Sequence, residues 1–415
     1  MIIKGAIVCD YEREQKGDVK IQDGKIVDVQ KSLLPEPCEE IIDAEGLLLL
    51  PALIDLNVRV AGDLLTSDNL SKLAKKALEG GVGTVALMPD CTPALDNEVS
   101  IELLNRSQSE LGVQILPIAS AINQESKGLS DLAILHKKGS PAIALESSLD
   151  GNLAKRVCEY ALLNETAILC RAEDPSLRGE GVMNDSHLSA KMGLPGIPSL
   201  SEVKEVAKMV ETAIFMRTPM LFQALSSERS FRLIRRAREE FGALYSEVSI
   251  HHLVLSEDVC EGFHTGAKIL PPLKSEATRR RLLGLFKEGV IDTLTSLQSA
   301  QSISKKDVAF EEAAFGIDHI RDYFSLCYTF LHKQEHISLG HISRLASKRA
   351  AEILNLPSKG YIGIGADADL ILVDPKSSKV IEDPLSPYYN SILHGLVERT
   401  IIGGKSLYVR KKSLY

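Results

Sequence analysis

The sequence predicts an α/β protein: a parallel barrel of eight β/α units, with a small β domain assembled from both ends of the chain. Three observations carry this. From residue 45 onward, short apolar runs alternate with stretches whose apolar residues recur at helical spacing. Eight strand-like runs occur between residues 45 and 300, and both ends of the chain read as hairpins. A doubly wound open sheet is the alternative, and it usually has fewer strands.

Each element has its own warrant. Residues 2–9 are strand-like, and 18–22 alternate up to Asp23-Gly24, a strong hairpin turn signal that returns the chain along 25–29. Residues 47–60 form the first barrel strand. Leu70, Leu73, Ala74, Ala77 and Leu78 then recur at helical spacing until Gly80-Gly81. Further strands are expected at 83–88, 113–120, 141–147, 167–172, 219–225, 244–251 and 290–296, with helices such as 201–215 and 227–241 between them. After a last amphipathic helix at 342–354, a Gly-rich turn at 360–365 leads into a strand, and 400–409 closes a hairpin at Gly403-Gly404. The expected division is residues 1–50 plus 358–415 for the composite β domain and 51–357 for the barrel.

Composition excludes several classes. Apolar residues at 44% and charged residues at 25% of a 415-residue chain are ordinary globular usage. A net charge of −8 argues against nucleic acid as a main partner. Arg279-Arg280-Arg281, flanked by Glu276 and Glu288, reads as a solvated helix face. No signal-peptide pattern opens the chain, and no apolar run approaches the roughly 20 residues of a membrane span, so a cytoplasmic protein without a membrane partner is expected. The seven cysteines form no C-x-x-C pair, and Cys91 and Cys170 read as buried and inert. The turn at 360–365 precedes a strand and is no phosphate cradle. Ser147-Ser148 and Ser226-Ser227 have no visible base partner. His332 and His336, at i,i+4 spacing, read as a solvated helix face.

Barrel active sites sit at the C-terminal strand ends. The first strand ends Pro51-Ala52-Leu53-Ile54-Asp55-Leu56-Asn57-Val58-Arg59. Further stretches are Met88-Pro89-Asp90-Cys91-Thr92-Pro93, Arg171-Ala172-Glu173-Asp174, Gly193-Leu194-Pro195-Gly196-Ile197-Pro198 and Glu247-Val248-Ser249-Ile250-His251-His252. Pro271-Pro272-Leu273, Phe310 to Ile317 and Gly365 to Leu370 follow in order. These resemble the amidohydrolase superfamily, whose first strand ends P-G-L-I-D-x-H-x-H, and in detail dihydroorotase, over nearly the whole chain.

The resemblance implies two metal ions, usually zinc, that polarise a ring amide and activate water. Yet the aligned positions depart together. Asn57 and Arg59 stand for the two histidines, and Ala61 for the arginine that grips the substrate carboxylate. Ser147-Ser148 align with the acidic segment that bridges the metals. Arg171 and Ala224 replace histidines of the fifth and sixth strands. Leu297 takes the place of the aspartate that is ligand and general base. Asp90 and Leu270 replace substrate-binding asparagines. Leu and Ala offer no lone pairs, and a guanidinium is a permanent cation without an acceptor.

The expectation is therefore no catalytic residue, no metal ligand and no zinc. Retained cleft candidates are Asp55, Glu173, Asp174, His251 and His252, with Asp55 and Glu173-Asp174 pairing Arg59 and Arg171. Adjacent strand residues face opposite ways, so a packing role for His251 and His252 is expected over chelation. The resemblance implies a noncatalytic member of pyrimidine biosynthesis that serves as a structural or regulatory partner of aspartate carbamoyltransferase, and a homo-oligomer is expected. The alternatives are a divergent amidohydrolase acting on a cyclic amide, and an anion-binding module using Arg59 and Arg171.

Overall fold

The computed structural model describes residues 1–107 and 111–411. Strands from both chain ends share one eight-stranded sheet. Lys405–Val409, Ile392–Ile402, Leu370–Val380, Leu48–Pro51, Ile2–Cys9, Glu14–Gln22 and Lys25–Gln30 lie in that order, and Ile41–Asp43 pairs Ile2–Cys9. The Asp23-Gly24 and Gly403-Gly404 turns close their hairpins as expected, and each of these residues has a positive φ.

The expected first barrel strand is split. Leu48–Pro51 belongs to the terminal sheet, where it pairs Leu370–Val380, and Leu53–Val58 belongs to the barrel. The ring continues through Val82–Leu87, Gln114–Pro117 extended by Ala119–Ser120, Ala142–Glu146, Ala167–Arg171, Met220–Phe222, Leu244–Ser249 and Thr293–Thr295. A parallel bridge between Arg59 and Ser299, with Arg59 N–H donating to Gln298 O at 2.8 Å, joins the last unit to the first. Every residue of Leu53–Val58 and Val82–Leu87 is buried, as strands covered on both faces must be.

The helices cover the barrel with the faces their periodicity dictates. In Ser67–Glu79, Thr66 caps the start by accepting Asn69 N–H, and Leu70, Leu73, Ala74, Ala77 and Leu78 are buried. The helix stops at Gly80, a position where a Cβ would lie 1.8 Å from Ile320 O. Leu200–Met216 matches its expected span, whereas Glu228–Ala237 is shorter than the 227–241 pattern. The last helical stretch begins at Leu339, capped by Ser338, and carries a π-helical turn at Arg344–Lys348.

Two expectations are corrected. The strand expected at 244–251 ends at Ser249, whose hydroxyl caps a short helix, Ile250–Val254, that carries His251 and His252. His332 and His336 share no helix face: the π-helical turn Cys327–Gln334 ends before His336, and His332 Nδ1–H donates to Ile337 O at 2.8 Å. Arg279 and Arg280 pair Glu276 on helix Glu276–Lys287. Among the described residues no helix is long and apolar enough to cross a membrane.

Candidate functional site

A cavity of about 320 Å³ opens at the C-terminal ends of the barrel strands. Asn57, Arg59, Asp90, Arg171, Ala224, Leu270 and Leu297 all line it, together with Glu173. The sequence therefore located the cleft, and the structure shows what fills its floor.

Two acids lie beneath. Asp55 is fully buried and accepts from Thr295 Oγ1 at 2.5 Å, from Ser296 N–H at 3.1 Å and from the Ser296 hydroxyl. Burial pushes its carboxyl up while these donors pull it back. Glu247 is also fully buried, and burial pushes it up to about 8, so it holds its proton at neutral pH. Its Oε1 accepts from Asn57 Nδ2 at 3.0 Å and Ala224 N–H at 3.1 Å.

Charges pair on the floor above these acids. Asn57 Oδ1 accepts from Arg59 Nη1 at 2.8 Å, and Arg59 Nε donates to Asp90 Oδ2 at 2.7 Å. Burial raises the Asp90 carboxyl, but Arg59 and then Arg171 more than offset it, leaving it below the usual range. Arg171 Nη2 donates to Glu173 Oε2 at 2.9 Å, and its Nη1 lies 3.8 Å from Glu146 Oε1. Arg178 stands 3.6 Å from the same Glu173 oxygen.

This donor set does not fit the family's metal pair. Both polar atoms of Asn57 are already committed, two guanidiniums project into the space, and Ala224 and Leu297 offer no lone pair. Among the described residues, no group of three or more His, Cys, Asp or Glu side chains is placed to hold a metal ion. The backbone keeps an unusual shape there. Ala224 (φ 48°) and Leu297 (φ 51°) are left-handed, a conformation that costs a non-glycine residue about 1–3 kcal/mol.

Several expected placements are corrected. Asp55 bonds hydroxyls at the end of the eighth strand and not Arg59, because both its oxygens point to that neighbouring strand. Asp174 leaves the cleft: it caps helix Pro175–Arg178 and pairs Lys204, which holds its carboxyl well below the usual range. Neither Ser147 nor Ser148 lines the cavity. Ser147 Oγ accepts Glu173 N–H at 3.0 Å, Ser148 is exposed, and Glu146 is the acid that ends the fourth strand. Ala61 sits in the turn after the first strand and makes no part of the lining.

His251 and His252 are buried beside the cleft and outside its lining. His251 Nε2–H donates to Ser296 O at 2.9 Å, so Nδ1 accepts from Tyr388 OH at 2.8 Å. His252 Nε2–H donates to Pro271 O at 3.1 Å, and Nδ1 accepts from Ser249 Oγ at 2.8 Å. Burial lowers both rings, His252 to about 4, so both are neutral near pH 7. Nearby, His319 bonds Asp322 at 2.9 Å and Ser386 at 2.7 Å. None of the three is more than 7% exposed, and the Ser386 hydroxyl also accepts Tyr388 N–H, so the string works as a staple.

Sequence reasoning missed four residues. Glu146 ends its strand without a pattern that marks it, and Glu247 opens a resembling stretch without standing out as a site residue. Glu202 is buried in the cleft wall and accepts from Ser226 N–H and Oγ, Ser227 N–H and Ser230 Oγ. Lys274, 5% exposed, reaches Asn184 Oδ1 at 3.1 Å and Ser199 Oγ at 3.4 Å. The one available signal was position: Glu202 opens the helix after Ile197-Pro198, and Lys274 follows Pro271-Pro272-Leu273.

The fold and cleft define an amidohydrolase-type barrel with an attached β sheet. Solved structures agree on the fold: an L-hydantoinase (dihydropyrimidinase) from Arthrobacter aurescens superposes with a TM-score of 0.86 at 17% identity, covering 100% of this chain and 97% of that one. A dihydropyrimidinase from Brevibacillus agri gives 0.85 at 19%, covering 100% and 96%. The family described as Dihydro-orotase-like matches residues 46–215. A dihydroorotase of Caldanaerobacter subterraneus subsp. tengcongensis is 30% identical over 426 residues, 99% of this chain and 98% of that protein. One of Ruminiclostridium cellulolyticum is 30% identical over 429 residues, 100% and 99% of the two chains. The chain belongs to the dihydroorotase-like family.

Proposed function

We propose that this chain is a noncatalytic dihydroorotase-like protein of pyrimidine biosynthesis, and that it acts as a structural or regulatory partner of aspartate carbamoyltransferase. One observation carries the loss of chemistry. At the strand ends where the family would hold its metals, Arg59 pairs Asp90 and Arg171 pairs Glu173, over an Asn57 amide already bonded to Glu247. A divalent ion would meet two permanent cations there and would have to break both pairs. The fold around this floor is complete, and an intact barrel with a terminal sheet offers surfaces for assembly.

The test uses the purified chain and the carbamoyltransferase of the same cell. The expected result is a stable complex by light scattering, and a transferase whose activity or assembly falls when this chain is withheld. A transferase that assembles and works fully alone would remove the partner role. The second reading, a divergent amidohydrolase with a rebuilt site, draws on the cavity of about 320 Å³ that stays open above the floor. Turnover of dihydroorotate by the purified chain would favour it.

A further inference from the structure

Helices Glu228–Ala237 and Glu276–Lys287 lie side by side on the outside of the barrel, and two ion pairs join them. Arg281 Nη1 stands 3.4 Å from Glu228 Oε2, and Arg235 Nη1 stands 3.8 Å from Glu288 Oε2. The acids of this face are outnumbered. Arg232 and Arg281 share Glu228, and Arg279 and Arg280 share Glu276. Arg229 and Arg236 are exposed and pair no acid among the described residues. Residues 229, 232 and 236 recur at i, i+3 and i+7, so they form one stripe of the helix. Every cation of Glu228–Ala237 is an arginine and none is a lysine. A face that only meets water is served as well by lysine, whereas the guanidinium fork grips carboxylates bidentately and sheds water more readily. An apolar anchor adjoins the stripe. Helix Leu200–Met216 packs against Glu228–Ala237, and Phe215 near its end is 81% exposed. Arg217 ties that end to the chain just past the stripe. Its Nη1 donates to Glu240 O at 3.0 Å, and its guanidinium lies 5.8 Å from the Phe241 ring centroid.

We infer that this arginine stripe, with Phe215 beside it, is the surface that docks an acidic face of aspartate carbamoyltransferase. The inference rests on the reading of the chain as that enzyme's partner, and it says where on the barrel the contact falls. The chain carries a net charge of −8, so an acidic partner is repelled by the molecule as a whole and attracted at the stripe. That contrast orients the encounter before contact and disfavours other faces. Arginine and exposed aromatic side chains are the types enriched where proteins meet, and they carry most of the binding energy there. A nucleic acid fits less well. Glu228, Glu276 and Glu288 interleave with the arginines and would face its phosphates.

The test is titration calorimetry of the full chain with the carbamoyltransferase of the same cell, at about 50 and about 300 mM salt. Affinity should fall as salt rises. Arg229→Glu with Arg236→Glu should weaken binding at least roughly tenfold and flatten the salt dependence. Phe215→Ala should weaken it by about fivefold or more. A control of equal charge change on two other helices uses the exposed Lys72→Glu with Lys155→Glu, and should stay within about twofold of the parent. Parent-like binding by the arginine variant, shown by circular dichroism to be folded, overturns this inference alone, and so does an equal loss in the control. Absence of any complex with the parent chain overturns it together with the partner reading. An oligouridylate that binds the parent and not the arginine variant, while transferase binding is untouched, overturns it in favour of a nucleic-acid surface.

Discussion

The floor of the cleft and its wall are built on different principles. On the floor, side chains from the first, second and fifth strand ends neutralise one another as ion pairs, Arg59 with Asp90 and Arg171 with Glu173. In the wall, Glu202 is held by N–H and O–H groups alone, from Ser226, Ser227 and Ser230. The floor balances its acids with contact cations, while the wall keeps one carboxylate occupied by neutral donors. The difference teaches that one cleft can hold its carboxylates in two ways, by contact cations and by neutral donors, because different residues carry the two.

Breaking the wall should cost most. Glu202→Ala strands the buried N–H groups of Ser226 and Ser227, and should lower unfolding free energy by about 3–5 kcal/mol in urea denaturation. A loss no larger than that of an exposed glutamate would mean the wall is not a unit.

Beneath the floor the effect depends on pH. Glu247 holds a proton up to about 8 when folded, against an ordinary 4.5. The folded state thus keeps a proton that the unfolded chain releases between those values. Stability should fall across that window by up to about 1.4 kcal/mol per pH unit as pH rises. Glu247→Gln should remove this slope and be the more stable chain at pH 8. His252 works at the acid side: held at about 4 when folded, against 6.5, it contributes stability above 6.5 that is lost as pH falls through 4. Denaturation at pH 5, 6.5 and 8, compared between parent and variants, reads both signs.

The floor pairs themselves should be worth least. Arg59→Leu leaves Asp90 without its contact cation, and since Asp90 is partly exposed the loss should be about 1 kcal/mol, with the Asp90 carboxyl rising in an NMR titration. The same variant should gain no affinity for zinc, because Asn57 stays bonded to Glu247.

Much of this was legible in the sequence. The β/α rhythm and the terminal hairpins gave the architecture, and the strand-end motifs gave the positions of Asn57, Arg59, Asp90, Arg171, Ala224, Leu270 and Leu297 in one cleft. What the sequence could not give was pairing across strands. Asp55 is near Arg59 in sequence, but strand geometry turns it to Thr295 and Ser296 at the end of the eighth strand. Asp174 is near Arg171 in sequence, yet the chain has already turned into a helix that Asp174 caps. His251 and His252 looked like strand residues because Leu244–Ser249 runs straight into them, and only the Ser249 cap reveals the helix. Ser147-Ser148 follow Glu146, the acid that ends the fourth strand, and only the structure shows that Ser147 turns to the Glu173 backbone.

The central claim is that the floor cannot support metal-dependent amide hydrolysis. The most direct measurement is elemental analysis of the purified chain after incubation with excess zinc and desalting, paired with a dihydroorotate hydrolysis assay on the same sample. The account predicts zinc far below one equivalent per chain, no turnover, and an unfolding temperature indifferent to chelator. Stoichiometric zinc together with turnover would contradict it.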